Sequence, residues 1–181
     1  WDAIFQAAGE LLMRQPGIGT LHSVTAANAL HFAYLTSGND ETRRVLLLQN
    51  ASFIPRFRAG VKAGKDVRID QFEPAPLKGG DLPAVEEIFA DISRDRMAAA
   101  QKALAYLKAN PQPREFINAA RRLIFLKGTD SHDYKFSSAA LEDYRHLAPQ
   151  VRDRFLAASV FWLKGSGAPD SALVARTRAA L

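Results

Sequence analysis

The chain has 181 residues, 48% hydrophobic and 24% charged, which suits a packed globular interior and excludes the low-hydrophobicity composition of disordered chains. Cysteine is absent, so disulfides, thiolate metal centres and a cysteine nucleophile are excluded. The net charge of +5 comes from lysines and arginines scattered among acids, as where Arg43-Arg44 follows Asp40-Glu41, so nucleic acid is not an expected partner.

Asp2 to Arg14 reads as an amphipathic helix with Ile4, Phe5, Ala8, Leu11 and Leu12 on one face and Asp2 placed to cap it. Gln15-Pro16-Gly17 stops it. A second helix runs from Thr20 to about Thr36, and Ser37-Gly38-Asn39 should end it through a left-handed glycine. Asp40 to about Gly60 forms a third, apolar around much of its circumference through Val45-Leu46-Leu47-Leu48. That pattern predicts the central helix of the bundle, with a kink at Pro55, which lacks an amide donor.

Gly64 to Pro83 breaks the helical pattern with repeated glycine and proline. A connection of roughly 20 residues is long for a compact domain, and the reading is either an ordered strap around the bundle or a lid. Ala84 to Ala109 is the longest helical pattern, with Ser93-Arg94-Asp95-Arg96 as a point where it divides. Arg114 to Lys127 follows, then Gly128 and a helix starting at about Asp130, another helix after Pro149, and a last short one capped by Asp170 or Ser171. No strand pattern is sustained. The expected fold is all-α, a bundle of roughly eight helices with one long loop near the middle. It makes a single domain over 1–181, or two helical lobes, 1–63 and 84–181, joined by loop 64–83.

No apolar run approaches the ~20 residues that span a bilayer. The chain opens on Trp1 rather than Met, so a processed or incomplete form is the expectation, and a soluble, cytoplasmic chain suits the composition without fixing the compartment.

Two helices are headed by histidine, through Gly19-Thr20-Leu21-His22 and Gly128-Thr129-Asp130-Ser131-His132. If they face each other, His22 and His132 meet across a seam with Thr25, Asn28, Asp133 and Lys135 nearby. An imidazole there can act as a general base, with Asp133 or a backbone carbonyl fixing its tautomer. No Glu-x-x-His repeat or His-Glu-x-x-His is present, so no metal is expected. Nucleophile-elbow, phosphate-loop and dinucleotide signatures are also missing. His31 and His146 read as packing or surface residues.

Leu21-His22-Ser23-Val24-Thr25-Ala26-Ala27-Asn28-Ala29-Leu30, then Glu41 to Leu48, and later Asp130-Ser131-His132-Asp133-Tyr134-Lys135, resemble motifs of questin-oxidase-like proteins. That family is helical and includes oxygenases acting on polycyclic aromatic ketones with a reduced nicotinamide cofactor. The resemblance implies a site lined by His22, Thr25, His132 and Lys135, with aromatic walls from Phe53, Phe57 and Tyr134. It implies His22 or His132 as acid/base, Lys135 stabilising an enolate or peroxy anion, a small aromatic substrate and NADPH as cofactor. Members are substantially longer, so a missing N-terminal part of the same protein, or a second copy, is an expected partner. The alternative is a non-catalytic helical interaction or structural module.

Overall fold

The computed structural model describes residues 1–62 and 64–181. Among these residues the architecture is all-α, with no strand. The helices are α1 (Asp2–Arg14), α2 (Ile18–Thr36), α3 (Asp40–Ala59), α4 (Asp81–Ile92), α5 (Arg96–Ala109), α6 (Arg114–Lys127), α7 (Ser131–Asp143), α8 (Pro149–Ala158) and α9 (Ala172–Ala180), with a 3-10 turn at Ser159–Phe161. No helix among the described residues is long and apolar enough to cross a membrane.

Local chemistry sets the helix ends. Asn39 accepts the Thr42 amide at 2.9 Å, Asp95 those of Met97 and Ala98, and Asp130 those of His132 and Asp133, each satisfying a first-turn N–H that the helix leaves unpaired. Asp95 and the bend before it split the predicted Ala84–Ala109 helix into α4 and α5. These two are pinned by Lys102, whose Nζ lies 2.5 Å from Glu87 and 2.6 Å from Asp91. Asp2 does not cap α1. It sits within the first turn and accepts the Ala148 amide at 3.1 Å, tying α1 to the start of α8. No described glycine has a positive φ, so the left-handed Gly38 is not found; Ser37 leaves α2 in extended conformation.

The core is built from α1, α2, α4, α5, α6 and α8, with Phe5, Leu11, Leu12, Ile88, Phe89, Leu104, Phe116 and Phe155 buried in it. Contacts of α1 with α8, and of α2 with α7, run between residues on either side of the long loop. The third helix is not central. Only Asn50 and Ile54 of α3 are buried, while Val45 and Leu48 face solvent, so its apolar circumference is half unused. The helix runs through Pro55 without a break.

The loop ahead of α4 is a strap rather than a free lid. Ile69 and Phe72 are buried, the Ile69 amide donates to Glu10, and Arg154 donates to the carbonyls of Ile69 and Phe72. Hydrogen bonds from Lys65 to Arg14 and from Ala75 to Gln101 fix its two ends to α1 and α5. Ala63 lies outside the described residues.

Gly128 turns the chain between α6 and α7 with little room to spare. A β-carbon there would stand 2.5 Å from the Ile124 carbonyl and 3.1 Å from the Tyr134 ring. The absent side chain lets Tyr134 close over the corner and donate its hydroxyl to the Gly128 carbonyl at 3.1 Å.

Candidate functional site

Helices α2 and α7 pack along a seam. His22 meets His132 edge-on, with ring centroids 5.4 Å apart. Further along both helices Asn28 donates to Asp143 at 2.9 Å and to Glu142 at 3.3 Å. Both contacts pair early residues with early and late with late, so the two helices run parallel. Thr25 lies between these points on α2, buried, with its hydroxyl unpartnered.

The structure therefore brings His22, His132, Thr25 and Asn28 to one seam. Asp133 does not orient His132. Its buried carboxylate turns to Lys164 at 2.8 Å and accepts the amide and hydroxyl of Thr129. Burial would raise it, but the Lys164 and Thr129 interactions outweigh that and hold it below the usual carboxylate range. Asp130 instead stands by His132, at 3.4 Å from Nδ1. Lys135 is exposed and makes no ion pair among the described residues. Phe53 and Phe57 pair with each other on α3, whose main neighbours are α2 and α1, and do not wall the seam. Tyr134 lies about 200° around α7 from His132, by the 100° turn per residue, and faces α6.

The far end of the seam holds a cluster around Asn28 whose two histidines, His31 and His146, the sequence reading assigned to packing or the surface. Asn28, His31, Phe32, Leu35, Glu142, Asp143 and His146 line a cavity of about 260 Å³. Asp143 is only 1% exposed, and its second oxygen has no partner. Burial is the main reason its carboxyl is pushed up to about 8; Asn28 opposes the shift and Glu142 adds to it. At neutral pH it is an acid that still carries its proton. His31 is set between Trp1, Phe5 and His146, with centroids at 4.6, 5.3 and 5.4 Å. Burial, then the proximity of His146, holds it below the ordinary imidazole range, which keeps it neutral. A proton donor and a neutral base thus face one small cavity.

His22 and His31 are nine residues apart on α2, about 14 Å by helical rise, so no small ligand touches both histidine pairs at once. Among the described residues no group of three or more His, Asp or Glu side chains is arranged to hold a metal. Fold and seam together define an all-α bundle with a small cavity of mixed lining between two parallel helices. Comparison with family models, curated proteins and solved structures finds no match.

Proposed function

We propose that the chain is a helical enzyme module performing acid/base chemistry on an aromatic ketone, with its reaction centre at the Asp143 end of the α2–α7 seam. The questin-oxidase-like resemblance sets the substrate class in this reading. The observation that carries it is Asp143, buried and half unsatisfied, on the same cavity as His31. Asp143 donates its O–H to the carbonyl oxygen while His31 takes the proton from the adjacent carbon, giving the enol. Reversal of both transfers returns the ketone. Phe32 and Leu35 supply the apolar wall.

A nicotinamide dinucleotide does not fit this cavity. It brings phosphates to a space of about 260 Å³ edged by the acids Glu142 and Asp143, with no lining arginine or lysine to receive them. No step of the reading uses that cofactor.

The test is hydrogen–deuterium exchange at the α-carbon of 1-tetralone in D2O, followed by proton NMR. The expected result is acceleration by the wild-type chain and a loss of about a hundredfold in Asp143→Asn and in His31→Gln, the range of general acid–base contributions. Loss in a His22→Ala/His132→Ala variant with Asp143→Asn unaffected would move the reaction centre to the other end of the seam. No acceleration by the wild type sinks the reading.

One observation favours the second reading, a non-catalytic helical interaction module. Val45 and Leu48 on α3 and Phe32 and Leu35 on α2 are exposed, Leu48 to 68% and Phe32 to 59%. On that reading a second copy covers them. Sedimentation should then show a concentration-dependent dimer that Leu48→Glu abolishes; a monomer throughout the range removes the homo-oligomer form of this reading.

A further inference from the structure

Helices α6 and α7 form an antiparallel hairpin about Gly128, and between them lies a groove of about 600 Å³ on the side of α7 away from α2. Its two ends differ in chemistry. At the corner stand Phe125, 69% exposed, and Tyr134, with ring centroids 6.2 Å apart. At the open end stand Arg121, one turn back along α6, and Arg145, in the turn just past the C-terminal end of α7. Ile124 and Leu141 form an apolar stretch between them.

Neither arginine has an ion pair or side-chain hydrogen bond among the described residues. The one acid on the groove, Glu142, is held toward α2 by Asn28 at 3.3 Å. Two unneutralised guanidiniums at one end of an apolar channel, with an exposed ring at the other, complement a flat molecule that carries its negative charge at one end. Arg121 stands about 6 Å from Phe125 along α6, a span that a two-ring aromatic with one substituent covers, while Arg145 approaches from beyond the end of α7.

We propose that this groove is a binding site for an aromatic carboxylate, its ring system over Ile124 and Leu141 against Phe125 and its carboxylate on Arg121 and Arg145. The site shares only Glu142 with the Asp143 cavity and stands whether or not that cavity is catalytic.

The probe is 2-naphthoate titrated into the full chain, read by amide NMR and by the ligand's fluorescence. The expected result is saturable binding with shifts concentrated on residues 121–125 and 134–145, and at least tenfold weaker binding of neutral 2-naphthamide. Arg121→Gln and Arg145→Gln should each weaken naphthoate about tenfold, the usual value of one charge-assisted hydrogen bond. Both side chains are exposed, so these variants should fold as the wild type does, which their amide spectra check. Phe125→Ala should also reduce affinity, and added salt should weaken naphthoate but not naphthamide. Equal binding of naphthoate, naphthamide and 2-naphthylmethylamine would overturn the proposal. So would shifts mapping elsewhere, arginine variants that bind as the wild type does, or no binding at millimolar ligand.

Discussion

Replacing Asp143 with asparagine is expected to remove a pH-dependent loss of stability. The folded-state carboxyl titrates at about 8, well above the ~3.9 of an unfolded aspartate. Between those values the native state holds a proton that the unfolded chain gives up, so stability falls as pH rises through the window. The contribution is complete below pH ~4 and gone above pH ~8. Each unit of the interval is worth about 1.4 kcal/mol, so roughly 2 kcal/mol should be lost from pH ~6.5 to ~8. The facing groups are Asn28 and His31 on α2, with Glu142 and His146 beside Asp143 along the chain. His31, whose folded value is lowered, acts in the opposite direction only below the ordinary imidazole value of ~6.5, outside that span. Asparagine keeps an acceptor for Asn28 and cannot ionise. Urea unfolding at several pH values should show the wild-type slope and its disappearance in Asp143→Asn; equal slopes in the two proteins would contradict the burial account.

Phe5→Ala should destabilise the chain by about 3–5 kcal/mol, the range for deleting a buried phenylalanine. Phe5 is 1% exposed and touches three rings, Trp1 at 6.3 Å, His31 at 5.3 Å and Phe155 at 5.6 Å. Its loss opens a cavity on the core side of α2 and takes away one wall of His31. Denaturation measures the first effect. Proton NMR of the histidine rings measures the second, as a rise in the His31 titration toward the ordinary range. A small loss of stability with unchanged His31 titration would mean that the aromatic cluster does not hold the site.

The elements were legible because the local signals agree. Asn39, Asp95, Asp130 and Ser171 cap where short polar side chains precede apolar periodicity, and Gly128 marks a corner that a larger residue would clash with. The meeting of His22 and His132 was legible too, since both head their helices. What periodicity could not show is which faces find partners. Val45 to Leu48 read as a central run, yet α3 packs on one side only.

The Asp143 cluster was hidden for a related reason. His31 lies nine residues beyond His22, and Asp143 eleven beyond His132, so they come together only once α2 and α7 are known to run parallel. One signal was present. Asp143 is an acid set among Leu141, Tyr144 and Leu147, all buried, and an acid in such company has to be protonated or paired. Asp133 carried the converse trap. It looked like the natural partner of His132, but the helix turn aims it at Thr129 and Lys164.

The measurement that bears most directly on this account is a carbon-13 NMR titration of the Asp143 side-chain carboxyl, assigned by comparison with Asp143→Asn. A midpoint near 8, shifting when 1-tetralone is added, is the predicted result. A midpoint near the ordinary aspartate value of ~4 would mean an ionised, hydrated carboxylate and would remove the proton donor on which the proposed chemistry depends.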